Sequence, residues 1–121
     1  MLALIEDSQP DVEFYKYTFL KDMQFVHFAT MEDFLQSTLK FSVVLTDLNL
    51  PDSWGLDTVR SIRAFTKADI LVLTGTAGIY LTGIDHHNMV AAGANDVFEK
   101  NKIGDSAYAD KILQRIKESY D

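Results

Sequence analysis

Glu6, Asp7 and Asp47 are carboxylates and Lys100 is an ammonium group, and each stands at or just beyond the end of a short apolar run. Thr74 closes a further run of the same kind. If the runs are strands of one sheet, these groups meet at one rim. Two unit charges about 4 Å apart repel by roughly 4 kcal/mol at an effective dielectric near 20, so three gathered carboxylates require positive charge. Lys100 supplies one charge and a hard divalent ion can supply the rest. Magnesium (Mg2+) prefers oxygen ligands, keeps several waters, and often takes only one or two carboxylates together with phosphate oxygens. A carboxylate in that setting can attack phosphorus and form an acyl phosphate, while metal and lysine neutralise charge on the transferred group. Asp47 is the natural nucleophile, because it follows Val43 to Leu45, the run nearest the middle of the sheet.

The elements that must position these groups are legible from pattern. Leu2 to Ile5, Phe25 to Phe28, Val43 to Leu45, Ile70 to Leu73, and Val97 to Phe98 are too short for helices. Most are rich in β-branched or aromatic side chains, which predicts five strands. Several lack polar alternation, as expected for parallel strands covered on both faces. Between them, Ser8 can cap a helix with Pro10 early in it and Val12, Tyr15, Phe19 and Met23 as its apolar stripe. Thr30 and Asp33 resemble a capping box that opens a helix through Phe34, Leu35 and Leu39. Leu56, Val59, Ile62 and Phe65 predict a third helix, a fourth lies between Ile79 and Ala92 and ends at Gly93, and Ala109, Ile112, Leu113 and Ile116 mark the last. A strand followed by a helix, five times over, is an α/β pattern that right-handed crossovers wind into one sheet with helices on both faces. In such folds functional groups collect beyond the carboxyl ends of the strands.

The composition fits one domain spanning residues 1–121. Hydrophobic residues make up 47%, enough for a packed core. With 11 Lys and Arg against 18 Asp and Glu the net charge is -7, which repels phosphate backbones and argues against direct nucleic-acid binding. The absence of cysteine excludes disulfides, thiolate metal sites and a Cys nucleophile, and is compatible with the cytosol. No apolar run approaches membrane-spanning length and no basic leader precedes the first strand, so a cytoplasmic protein with no membrane partner is expected.

Five stretches in register carry a family resemblance. Leu4-Ile5-Glu6-Asp7, Val44 to Pro51 with Gly55 and Leu56 after it, Leu71-Val72-Leu73-Thr74-Gly75, Gly93-Ala94-Asn95-Asp96, and the following Lys100 together resemble the response-regulator receiver domains of two-component signalling, from end to end. The resemblance implies a flavodoxin-like (βα)5 doubly wound parallel sheet with strand order 2-1-3-4-5. It implies that Asp47 accepts a phosphoryl group from a histidine kinase or histidine phosphotransfer protein and that a conformational switch follows. Asp7, Asp47 and the backbone carbonyl of Asn49 would ligate magnesium, with Glu6 assisting through water. The Thr74 hydroxyl and the Lys100 ammonium would contact the phosphoryl oxygens. Such a domain catalyses only its own phosphorylation and dephosphorylation, and a second copy of the chain is a further expected partner, in a homodimer. Lys100 takes the lysine role rather than Lys102 because its interval from Gly93-Ala94 matches the family's.

Three departures qualify the resemblance. Asn101 follows the lysine where the family usually has a cis-proline, the segment between Thr74 and Lys100 is a few residues longer than usual, with the insertion placed in Gly75 to Thr82 or the helix after it, and Val97 occupies a position commonly held by an aromatic switch residue. These keep an alternative open, a degenerate receiver used for dimerisation or docking without phosphorylation. An aspartyl-phosphate phosphohydrolase would want a second Asp two residues after the first, where this chain has Asn49. A flavin site needs backbone donors or hydroxyls for phosphate, and the first loop here is acidic.

Other residues receive plainer readings. The adjacent His86 and His87 point about 100° apart on a helix and cannot face one metal together, so they are expected at the surface. Phe14 and Tyr17 lie off the main stripe of the first helix, either because that helix is widely buried or because Phe14 helps form the docking surface for the phosphohistidine partner. Trp54 is expected to anchor the loop after Asp47.

Overall fold

The computed structural model describes residues 1–75 and 86–120. Its elements run β1 (Leu2–Ile5), α1 (Gln9–Tyr17), β2 (Val26–Phe28), α2 (Met31–Leu35), β3 (Val43–Thr46), β4 (Asn49–Leu50), β5 (Ser53–Trp54), α3 (Leu56–Phe65), β6 (Asp69–Thr74), α4 (His86–Ala92), β7 (Asp96–Glu99), a 3-10 turn (Lys100–Lys102) and α5 (Ser106–Glu118). Five strands form one sheet in the order β2-β1-β3-β6-β7, each neighbouring pair parallel. With the short β4–β5 hairpin set aside, this is the expected order 2-1-3-4-5. The hairpin is antiparallel and separate, and nothing in the apolar pattern signals strands of two residues.

Alternate side chains of the central strands enter two cores. Leu2, Leu4, Leu45, Leu71 and Leu73 pack with Val12 and Tyr15 of α1 and Ile112 and Ile116 of α5. Ala3, Ile5, Val44, Ile70 and Val72 pack on the other face with Phe34 of α2, Val59 and Ile62 of α3, and Met89 of α4. Both faces being covered explains why these strands read as continuous apolar runs.

The helices start where their caps place them and two stop sooner than their apolar stripes suggest. Ser8 and Thr30 accept hydrogen bonds from the backbone N–H of Asp11 and Asp33, at 3.3 and 3.1 Å. The stripe Val12, Tyr15, Phe19, Met23 predicts a longer first helix, yet α1 ends at Tyr17. Thr18 turns its hydroxyl back onto the Phe14 carbonyl at 2.9 Å and its N–H bonds the Tyr15 carbonyl at 3.1 Å, a tighter turn that closes the helix. Phe19 is buried nonetheless, from the turn that follows. Leu39, expected on α2, lies beyond it and is 45% exposed. A second cap for α2 comes from the hairpin: the Asp52 carboxylate accepts from the N–H of Met31 and Glu32 at 2.9 and 2.8 Å. Burial works against the charged form of Asp52, but these two amides together with its own N–H outweigh it and hold its pKa below the ordinary value.

Gly93 ends α4 as the sequence predicts, with φ 126°, a conformation that L side chains rarely adopt. The first part of the fourth helical segment, from Ile79, and the insertion placed at Gly75 to Thr82 fall mostly outside the described residues. The Gly93 carbonyl accepts from Nε and Nη2 of Arg63 at 3.1 and 2.9 Å. Asn95 exchanges hydrogen bonds with Ile70, N–H to carbonyl at 2.8 Å and Oδ1 from N–H at 2.9 Å, and its Oδ1 also accepts from Arg63 at 2.7 Å. The Gly93 to Asp96 motif thus aligns β7 against β6. A Cβ on Gly93 would lie 2.8 Å from Arg63 Cγ and 2.9 Å from its Cβ. Gly93→Ala should therefore lower stability by about 2 kcal/mol, from backbone strain together with the displaced arginine, and a urea midpoint measured against the parent checks this.

Candidate functional site

The parallel register brings the carboxyl ends of the strands together. Ile5 pairs with Thr46, and the Asp47 N–H donates to the Ile5 carbonyl at 3.1 Å, so the residues after β1 and β3 are neighbours. Thr74 pairs with Glu99, which places Lys100 just past the same edge. One carboxylate oxygen from each of Glu6, Asp7 and Asp47 lies within 4.8 Å of the other two. Glu6 is buried, Asp47 half-buried and Asp7 exposed.

Lys100 is the hub. Its Nζ donates to Glu6 Oε1 at 2.8 Å and to Asp11 Oδ2 at 3.0 Å, and lies 3.2 Å from Asp47 Oδ2. Lys102, its competitor in the sequence, pairs with Glu99 at 2.6 Å. Asp47 is fixed from its other oxygen, since Oδ1 accepts from the Leu48 N–H at 2.7 Å. Behind it, the Leu48 carbonyl accepts from the Thr58 hydroxyl at 2.7 Å and from the Gly55 N–H at 2.9 Å, which ties the loop after β3 to the start of α3. Thr74 is buried at the end of β6. Asn49 is on the first strand of the hairpin, two residues after Asp47, with its side chain toward solvent.

Glu6 is the most buried acid of the group. Burial pushes its pKa up to about 7; Lys100 pulls against that shift, Asp47 adds to it, and the Ser8 N–H pulls against it. The Tyr15 hydroxyl donates to Glu6 Oε1 at 3.3 Å and the Ser8 N–H reaches Oε2 at 3.3 Å. Tyr15 itself is pushed well above its ordinary value, chiefly by burial. For Lys100 burial works against the ammonium form, but the negative charge around it, from Tyr15 once ionised, Asp47 and Glu6, more than compensates and raises its pKa.

Asp11 and Tyr15 belong to this cluster and were not singled out for it by the sequence, where Asp11 reads as a helix-dipole acid and Tyr15 as core. The available signal was spacing: Asp11 and Tyr15 are four residues apart on α1, so they share the face that looks onto the rim. Trp54, expected to anchor its loop, is instead 66% exposed. Phe14 and Tyr17 are 39% and 82% exposed, so wide burial of α1 does not account for them. His86 and His87 are exposed as expected. Val97 is half-buried against the second core and pairs with Val72. Asn101 lies in the 3-10 turn, and no cis peptide bond occurs among the described residues.

The donor set suits a hard divalent cation. Three carboxylates offer oxygen alone, one of them open to solvent, and the ammonium group of Lys100 is already divided among Glu6, Asp11 and Asp47. No helix among the described residues is long and apolar enough to cross a membrane.

No family model matches the sequence, and no curated protein does. Solved structures do match. The receiver domain of a sensor histidine kinase from Pseudomonas aeruginosa, which has a magnesium ion coordinated in its active-site cleft, is 27% identical with a TM-score of 0.72, over 95% of this chain and 94% of that one. A CheY-like response-regulator receiver domain from Methylobacillus flagellatus is 26% identical with a TM-score of 0.73, over 95% and 96%. The BeF3-activated DrrB receiver domain superimposes with a TM-score of 0.76 at 24% identity, over 98% and 95%. Over nearly its whole length, then, the chain has the fold of the CheY-like receiver domains of response regulators, as the five sequence stretches imply.

Proposed function

We propose that the chain is a phosphoacceptor of a two-component system, in which Asp47 takes a phosphoryl group from a phosphohistidine on a histidine kinase or phosphotransfer protein. The observation that carries this reading is the shared lysine: one ammonium group spans Glu6 at 2.8 Å and Asp47 at 3.2 Å beside a cluster of carboxylate oxygens. In the transfer, an Asp47 oxygen forms the new P–O bond as the P–N bond of the donor breaks, and the electron pair of that bond stays with the imidazole. The Leu48 N–H holds the Asp47 carboxylate plane against rotation, so the nucleophile is oriented before the donor arrives. Lys100 meets the negative charge on the transferred group, and the Thr74 hydroxyl donates to it. Asp7, Asp47 and the Asn49 carbonyl would hold magnesium, with Glu6 assisting through water. When bound, that ion supplies positive charge to the phosphoryl oxygens.

The exposed Phe14 and Tyr17 on α1 support this face as the docking surface for the phosphohistidine partner. A cytoplasmic location and a single domain over residues 1–121 belong to the same reading. Val97 in place of an aromatic switch residue favours a second reading, a docking or dimerisation module that is never phosphorylated. The two separate in one experiment. With acetyl phosphate and magnesium, the intact mass should rise by one phosphoryl group, and excess EDTA should abolish the gain. No gain in the magnesium sample would overturn the phosphoacceptor reading in favour of the docking module.

A further inference from the structure

We propose that Asp11 is a positioning residue that restrains Lys100 while Asp47 is unmodified and releases it when a phosphoryl group arrives. The proposal rests on the phosphoacceptor reading above. An ammonium group has three N–H donors, and here Lys100 faces three carboxylates: Glu6 Oε1 at 2.8 Å, Asp11 Oδ2 at 3.0 Å and Asp47 Oδ2 at 3.2 Å. A phosphoryl oxygen on Asp47 competes for this lysine with the two carboxylates that accept hydrogen bonds from it, Glu6 and Asp11. Glu6 is a poor one to displace, because its side chain is 1% exposed and would be left as a buried carboxylate without its cation. The Asp47 contact is a charge pair that fades as its carboxylate becomes an acyl phosphate, and the phosphoryl oxygens on it then draw the lysine toward themselves and away from its other partners. Asp11 is 38% exposed, and water can replace the lysine there at little expense. Asp11 also sits in the first turn of α1, where the positive end of the helix supports a negative charge after the lysine leaves.

This arrangement makes Asp11 a competitor of the phosphoryl group for one ammonium. Removing it should favour the phosphorylated state without touching a group that carries the chemistry. The test uses beryllium fluoride with magnesium as a probe of that state, its affinity read by NMR titration of the whole chain. Asp11→Ala should bind the probe about two- to five-fold more tightly than the parent, the factor associated with losing a partly exposed ion pair. Asp11→Glu, which can restore the contact, should return to parental affinity. Glu13→Ala removes an equal charge from the same helix, but from a residue paired with Lys16 at 3.3 Å rather than with Lys100, and should leave the affinity unchanged. In the free protein, the Lys100 ammonium resonance should shift in Asp11→Ala and not in Glu13→Ala.

Equal or weaker probe binding by Asp11→Ala would overturn the proposal, as would an equal gain in Glu13→Ala, which would reduce the effect to overall charge. A parent chain that binds no probe and gains no phosphoryl group would remove the phosphoacceptor reading, and this inference with it. A parent that binds normally while Asp11→Ala binds no better sinks the restraint alone.

Discussion

Asp47→Asn should take up no phosphoryl group under conditions where the parent chain gains one, a complete loss in intact mass. The amide is a poor nucleophile, and none of the remaining acids is placed to substitute. Glu6 is 1% exposed and tied to Lys100, Tyr15 and the Ser8 N–H. Asp11 is engaged by Lys100, and Asp7 is exposed without the backbone restraint that the Leu48 N–H gives Asp47. The substitution should leave the fold intact, since Asn keeps an oxygen to accept from Leu48. It should also lower the pKa of Glu6, because the Asp47 charge is one of the causes that push it up. A phosphoryl gain that persists in the variant would move the nucleophile to another acid, and peptide mapping would identify which one.

The sequence showed most of this rim because strand ends are local features. Glu6, Asp7, Thr74 and Lys100 follow apolar runs, and once those runs are parallel neighbours their ends coincide by register alone. The limits of α1 and α2 were less legible. Phe19 continues the helical stripe in sequence but reaches the core from a turn, and the stop is set by Thr18 back-bonding to Phe14, a competition that hydrophobic period does not register. The β4–β5 hairpin was invisible because two residues carry no period, yet its Asp52 caps α2 across the rim from a distance of about twenty residues in sequence. Asp11 was missed for a different reason. An acid in the first turn of a helix already has a sufficient explanation in the helix dipole, so its second role depends on a lysine contributed from the far end of the chain.

Lys100→Met should destabilise the metal-free chain by about 1 kcal/mol more at pH 8 than at pH 5, because losing the cation makes the buried Glu6 carboxyl harder to ionise. Of the three acids left behind Glu6 is the most buried, and its titration fixes the pH window. In the folded parent the Glu6 pKa is about 7, against an ordinary value of 4.5. A raised carboxyl pKa means that between those values the folded chain keeps a proton that the unfolded chain has lost. Stability from this group is therefore fully present below about pH 4.5, declines as pH rises, and is gone above about pH 7. At about 1.4 kcal/mol per pKa unit, the decline amounts to about 3 kcal/mol. Lys100 remains charged throughout this window, because its own pKa is raised from an already high value. Without the lysine, the Glu6 pKa rises further and the decline extends above pH 7, so the defect in Lys100→Met should grow between pH 5 and pH 8, by about 1 kcal/mol. Glu6→Gln has no proton to lose, and its stability relative to the parent should improve by about 3 kcal/mol between pH 4.5 and 7.5. The double variant Glu6→Gln with Lys100→Met removes the deepest carboxylate together with its cation and should recover the pH-dependent part of what the single lysine substitution loses, a coupling that a double-mutant cycle reads directly. Urea midpoints in EDTA at pH 5 and pH 8 distinguish the outcomes. A Lys100→Met defect of equal size at both values would mean that Glu6 does not titrate in this range and that the lysine acts on stability through its packing and its pairs with Asp11 and Asp47.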